Sequence, residues 1–112
     1  MQRWLIAFCI TQLVEVPIYL WALRACVPRR ERRLAVAFGA SLLTHPVVWF
    51  AFPRVITGTY WGMVLAAEVF AVGVEAMVLS GTGLRRPLLW SLAANFASVA
   101  VGLICRAIFG VP

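Results

Sequence analysis

The sequence has 112 residues, of which 63% are hydrophobic and 12% are charged, and its mean hydropathy is +0.94. Soluble globular domains average roughly 45–50% apolar and about 25% charged residues, so this composition excludes a soluble globular fold, a coiled coil and a disordered chain. The net charge of +6 comes mainly from arginines that separate apolar segments. Membrane topology explains that pattern, and we expect no nucleic acid partner.

Four apolar segments follow one another along the chain. The predicted membrane spans are 4–23, 34–52, 60–79 and 88–109. Each has close to the ~20 residues that an α-helix needs to cross about 30 Å of hydrocarbon. The connectors are short and contain proline, glycine or arginine runs, which end helices. The sequence therefore predicts an all-α integral membrane protein, with a single domain that is a compact bundle of four transmembrane helices.

Aromatic residues and arginines predict how these spans sit in a bilayer. Tryptophan and tyrosine favour the headgroup level, and we assign to such a belt Trp4, Tyr19, Trp21, Trp49, Tyr60, Trp61 and Trp90. The first and third connectors, with the adjoining span ends, carry Arg24, Arg29, Arg30, Arg32, Arg33, Arg85 and Arg86. The opposite side carries Arg3, Arg54 and Arg106. Since arginine accumulates on the cytoplasmic side, we expect a multi-pass protein of the cell membrane with both ends outside.

Ionisable and strongly polar residues inside the predicted spans are the candidate functional residues. They are Glu15 in the first span, His45 in the second, Glu68 and Glu75 in the third, and Asn95, a neutral amide, in the fourth. Such side chains are costly in hydrocarbon, so they face the bundle interior, a partner or a water-filled cavity. The supporting polar residues are Ser41, Thr44 and Ser98.

Depth within the spans predicts that these residues form stacked polar layers. Counting from the outer ends places His45 and Glu68 together, about 10 Å deep. The middle layer contains Glu15, Ser41 and Ser98, and the deepest layer contains Glu75 and Asn95. Spacings of three, four and seven residues put the polar residues of each helix on one face.

Two prolines interrupt the predicted helices next to ionisable residues. Pro17 follows Glu15, and the sequence Thr44-His45-Pro46 lies in the second span. A proline inside a helix frees the carbonyl four residues earlier, which here belongs to Leu13 or Leu42. Many transporters place freed carbonyls beside ionisable side chains to build ion sites.

These features favour a small proton- or cation-coupled transporter or channel-like protein. Buried carboxyl groups load and release protons, and a histidine exchanges protons near neutral pH. The plan resembles that of the small multidrug resistance transporters, which also have about 110 residues, four helices and a membrane-embedded glutamate in the first helix. That resemblance implies the role of this glutamate for Glu15. It covers the overall plan and one residue, and this chain also has Glu68, Glu75 and His45, which that family's pattern does not require.

Two other functions stay open at this stage. The chain has the size of an accessory or structural subunit of a larger membrane complex, or of a homo-oligomer, because four short spans make only a thin bundle. An intramembrane enzyme is the third hypothesis, since Glu15, His45 and Glu68 are residue types that hold a divalent metal. The spacing matches no common metal motif, so we lean against an enzyme, expect no cofactor and leave metal binding open.

Overall fold

The computed structural model describes residues 1–111, and these residues form five α-helices and no strand. The helices are α1 (Gln2–Leu23), α2 (Arg30–Phe50), α3 (Phe52–Val55), α4 (Tyr60–Ser80) and α5 (Pro87–Phe109). Within the described residues, α1, α4, α5 and the segment formed by α2 and α3 are each long and apolar enough to cross a membrane. The prediction of an all-α fold with four such helices is confirmed.

The predicted spans match α1, α4 and α5 to within two residues at each end, but α2 differs. It begins at Arg30 rather than at residue 34, because the charged segment before the apolar run forms its first helical turn. Hydropathy detects only the apolar part of a helix, and α2 extends beyond that part into the charged segment. The predicted turn-rich connector 53–59 begins with the short helix α3, where Pro53 occupies the first turn and its missing N–H costs nothing.

The four long helices close into a ring. Helix α1 packs against α2 and α5, and α4 packs against the same two helices, so that α1 and α4 lie diagonally across the bundle. The Trp4 ring lies 5.7 Å from the Phe50 ring, which joins the start of α1 to the end of α2. Arg106 donates a hydrogen bond of 3.0 Å to the Tyr60 hydroxyl, which joins the end of α5 to the start of α4. Neighbouring helices are therefore antiparallel, as the short connectors predicted.

The apolar core lies at one end of this ring. Tyr19, Leu23 and Leu79 are fully buried there, and Val27 and Leu84 fold back onto them from the two connecting loops. Alanines complete the buried surface where the helices approach one another most closely: Ala22, Ala37, Ala40 and Ala94. The end of the bundle that carries loops 24–29 and 81–86 is therefore sealed by side chains.

The outer surface of the ring is apolar. Leu13, Met77 and Phe96 are each about three-quarters exposed, and large hydrophobic side chains occur on the outer face of every long helix. The interior, in contrast, contains two carboxyl groups, hydroxyls and an amide. This distribution is the reverse of that in a water-soluble protein, in which apolar patches of this extent are rare.

Candidate functional site

A cavity of about 410 Å³ enters the bundle from the end opposite the apolar core. All four long helices line it. Arg3 and Arg106 lie at its rim, its walls are mostly apolar, and Glu15, Glu75 and Asn95 lie at its floor. Because an α-helix rises about 1.5 Å per residue, Glu15 lies about 18 Å below Arg3 along α1. The cavity is therefore a deep, one-sided vestibule that ends at acidic groups.

The floor of the cavity brings together two carboxyl groups from diagonally opposite helices. Glu15 projects from α1 and Glu75 projects from α4, and each is only 1% exposed. Ser41, which donates to Glu15, and Thr44, which donates to Glu75, are three residues apart on α2, so the two carboxyl groups lie side by side. Two ionised carboxylates in contact repel each other strongly in a low dielectric, so the pair needs a proton or a cation to neutralise part of its charge.

Glu15 accepts hydrogen bonds from the two helices on either side of it. The Ser41 hydroxyl on α2 donates to Oε2 of Glu15. The Ser98 hydroxyl on α5 donates to Oε1 at 2.8 Å. These three residues form the middle polar layer that depth counting predicted.

Glu75 is bound in the same way by two other hydroxyls. The Tyr19 hydroxyl donates to Oε1 of Glu75 at 2.7 Å, and the Thr44 hydroxyl donates to Oε2 at 3.0 Å. All four oxygens of the carboxyl pair thus accept a hydrogen bond from a neutral hydroxyl group. The pair is held in place by contacts from α1, α2 and α5.

The assignment of Tyr19 to an interfacial aromatic belt was wrong. Tyr19 is completely buried, one helical turn beyond Glu15 on the same face of α1. A buried tyrosine hydroxyl requires a polar partner, and here that partner is the Glu75 carboxyl. The four-residue spacing between Glu15 and Tyr19 was the signal in the sequence that could have identified it.

Asn95 connects the deep end of this network to α5. Its Nδ2 donates to the Ser91 carbonyl at 2.9 Å and lies 3.5 Å from the Tyr19 hydroxyl. The Ser91 hydroxyl in turn donates to the Val72 carbonyl of α4 at 2.8 Å. The polar residues of α5 therefore face the bundle interior as predicted, and Asn95 lies beside the hydroxyl that binds Glu75.

His45 and Glu68 both line the cavity wall above the floor, where they are half-buried. The His45 ring packs among aromatic rings, 5.3 Å from Phe8 and 6.2 Å from both Trp4 and Trp49 between ring centroids. Its Nδ1 is buried and has no hydrogen-bond partner within residues 1–111. Glu68 lines the same cavity, as the prediction that both side chains face the bundle interior requires, and no direct hydrogen bond joins the two within residues 1–111.

The carbonyls freed by the two internal prolines do not belong to the site. Leu13 is 76% exposed and Leu42 is 46% exposed, and neither lines the cavity. Helices α1 and α2 continue through Pro17 and Pro46 without a break. The hypothesis of an ion site built on interrupted helices is therefore not supported, because both prolines lie outside the polar face of their helix.

Within residues 1–111, no three histidine, cysteine or acidic side chains come close enough together to hold a metal ion. The hypothetical metal set of Glu15, His45 and Glu68 is thus not assembled; instead Glu15 meets Glu75. The chain matches no family model, no curated protein and no solved structure in comparisons with known proteins.

Proposed function

We propose that the chain is a multi-pass protein of the cell membrane that moves protons or cations, with Glu15 and Glu75 as the groups that carry them. Four helices of spanning length, an apolar outer surface and a polar interior support the insertion into a bilayer. The long axis of the bundle is 41 Å, which is close to the ~40–45 Å thickness of a bilayer with its headgroups.

One observation carries the transport proposal: a buried pair of carboxyl groups forms the floor of a cavity that is open at one end and sealed at the other. In this proposal, protons or small cations reach Glu15 and Glu75 through the cavity from the open end. Below the pair, Tyr19, Leu23 and Leu79 block the path to the far side. A carrier that is accessible from one side at a time has this arrangement, and transport requires the seal to open while the cavity closes.

The hydrogen bonds of the floor also support a role in carrying protons. A hydroxyl both donates and accepts, so the Ser41, Ser98 and Thr44 side chains can bond to a carboxylate and, after rotation, to a carboxylic acid. An arginine in the same position would hold the carboxylate permanently ionised. The network therefore suits groups that gain and lose a proton in place.

Orientation follows from the arginines, since seven of the ten lie at the sealed end and cytoplasmic loops are rich in arginine. The cavity then opens to the outside of the cell, with Arg3 and Arg106 at its rim. In this orientation the conformation described above is an outward-facing state of the proposed carrier.

The test is proton flux into liposomes that contain the purified chain, followed with a trapped pH-sensitive dye after a pH step, with potassium and sodium gradients as parallel measurements. We expect flux from the parent chain, and flux at the level of empty liposomes from Glu15→Gln and Glu75→Gln. Glutamine keeps the size of glutamate and the ability to accept hydrogen bonds, but it has no titratable carboxyl group. Glu31→Gln is the matched control, because Glu31 is exposed in the first turn of α2, and it should leave flux unchanged.

Equal flux from the parent and from both floor variants would refute the assignment of these carboxyl groups. Absence of proton and cation flux in the parent, under conditions in which the chain is shown to be inserted, would refute transport itself. Thermal unfolding in detergent accompanies each variant, so that a misfolded protein is distinguished from an inactive one.

A further inference from the structure

A second concave surface lies at the sealed end of the bundle, away from the carboxyl pair. It is a groove of about 440 Å³ between the end of α1 and the start of α5. Trp21 and Arg24 contribute to it from one side, and Arg85 and Trp90 contribute from the other. We refer to these four residues and the space between them as the Trp–Arg groove.

The side chains of the groove are arranged by contacts with one another. The guanidinium of Arg24 lies 4.5 Å from the centroid of the Trp21 ring, which is cation–π geometry. The Trp21 and Trp90 rings are 5.4 Å apart, so the two aromatic groups form a continuous surface. Stacking restricts the motion of a long arginine side chain and leaves its N–H donors available.

The walls of the groove are anchored in the core. Val27 and Leu84, which are 4% and 8% exposed, hold the two loops that form its sides. The Cys26 thiol and the Thr82 hydroxyl are 3.9 Å apart and join these loops above the core. The shape of the groove is therefore fixed by core packing and by the contact between the two loops.

Charge determines what the groove can bind. Both charged residues that line it are arginines, and no acidic residue lines it in the part of the chain that the structure describes. Three of the four glutamates lie inside the bundle, and Glu31 belongs to the first turn of α2. Two arginines from separate segments thus line one space that no acidic side chain of the described residues lines, which suits a phosphate with two or more free oxygens.

The position of the groove identifies the source of that phosphate. If the bundle spans a bilayer along its 41 Å axis, the ends of α1 and α5 lie at the headgroup level. Tryptophan favours that level, with its ring beside the glycerol region and upper acyl chains. We propose that the Trp–Arg groove binds the headgroup phosphate of an anionic phospholipid, with Arg24 and Arg85 on the phosphate and the two indole rings against the lipid backbone. The proposal rests on the membrane insertion proposed above and is independent of transport.

The test measures binding of phosphatidylglycerol to the purified chain in an uncharged detergent, with phosphatidylcholine of the same acyl chains as the parallel ligand and inorganic phosphate as a competitor. Affinity is read from tryptophan fluorescence with brominated acyl chains, which quench nearby indoles. We expect saturable binding of phosphatidylglycerol, at least tenfold weaker binding of phosphatidylcholine, and no displacement of phosphatidylglycerol by an equal concentration of inorganic phosphate. Insertion is checked separately by floating the chain with liposomes, so that failure of insertion and failure of the groove are distinguished.

Two double variants decide whether phosphatidylglycerol binds to the groove or is attracted by the general positive charge of this end. Arg24→Gln with Arg85→Gln should weaken binding at least tenfold, since the loss of even one charged hydrogen bond has about that effect. The control, Arg29→Gln with Arg30→Gln, removes the same charge from exposed positions at the same end and should change affinity by less than about threefold.

Equal weakening by the two double variants would overturn the proposal in favour of diffuse attraction to the arginine-rich end. Equal binding of the two lipids, or displacement of phosphatidylglycerol by an equal concentration of inorganic phosphate, would also overturn it. If the Arg24→Gln, Arg85→Gln variant unfolds, a second double variant, Trp21→Phe with Trp90→Phe, is measured instead. Quenching by the brominated lipid should then be lost apart from that of the three other tryptophans. Unchanged quenching would show that the lipid binds elsewhere.

Discussion

The Tyr19 hydroxyl joins two parts of the molecule that have different physical character. Its ring belongs to the apolar core with Leu23 and Leu79, and its oxygen donates to Glu75 at the cavity floor. The residue therefore lies at the boundary between the open vestibule and the seal. Any opening of the sealed end has to move this ring and to break or carry along its hydrogen bond.

Tyr19→Phe should lower the stability of the chain while preserving its fold. Phenylalanine fills the same volume, but one oxygen of Glu75 then loses its donor in a buried site, at a cost of about 1–3 kcal/mol. The measurement is thermal unfolding in detergent. Tyr60→Phe is the control, since the Tyr60 hydroxyl is exposed at the cavity rim, and it should change stability by less than about 1 kcal/mol. Equal stability of the parent and Tyr19→Phe would show that the hydrogen bond to Glu75 contributes nothing.

At the scale of elements, α5 has a buried face of small and polar residues and an exposed apolar face. Ser91, Ala94, Asn95 and Ser98 are buried, whereas Phe96 is 75% exposed. Small residues on the inner face let the backbones of α1 and α4 approach α5, and the serine and asparagine side chains bond across the gap. The same helix therefore provides both close packing and two of the polar contacts of the floor region.

Ala94→Leu should destabilise the bundle because Ala94 has no exposed surface and lies in the core cluster. Added carbons at a close helix contact force displacement of the neighbours, at a cost of about 1–3 kcal/mol. Ala93→Leu is the matched control, since the adjacent residue points outward, and it should be close to neutral. Thermal unfolding of the two variants in one detergent makes the comparison. A greater loss for Ala93→Leu would contradict the assignment of faces on α5.

For the whole molecule, the central feature is the asymmetry between its two ends. One end contains the apolar core, the Trp–Arg groove and seven of the ten arginines. The other end contains the mouth of the cavity with Arg3 and Arg106. The difference in packing leaves the cavity that Glu15 and Glu75 line open at one end only. The difference in charge is the basis of the orientation that we propose.

Orientation is tested by labelling of single cysteines in intact cells with a membrane-impermeant thiol reagent. Cys9, Cys26 and Cys105, which are free in the structure, are first replaced by alanine. Arg54→Cys should then be labelled from outside, whereas Arg30→Cys should be labelled only after the cells are opened. The reverse pattern would invert the topology and make the cavity open to the cytoplasm.

Much of the fold could be predicted from the sequence because its signals are local. The length and hydropathy of each apolar run predict a helix whose backbone groups bond within the segment, and three of the four predicted spans agree closely with the structure. Spacing along each helix also identified the interior faces that carry Glu15, Glu75 and Asn95. The start of α2 was missed because its first turn is charged, and hydropathy does not detect a charged helical turn.

The composition of the floor was decided by tertiary structure. Depth counting placed Glu15 and Glu75 in different layers, and only the packing of α1 and α4 diagonally across one ring brings their carboxyl groups together. The same packing buries Tyr19 in the core, where the sequence had predicted an interfacial position, and it places His45 among aromatic rings. The sequence by itself determined four apolar helices, their polar faces and the unequal charge of their ends, since each depends on neighbouring residues along one helix. Which polar groups meet, and which end is sealed, depends on how the side chains of four helices fill a shared interior, and this is a property of their packing in three dimensions.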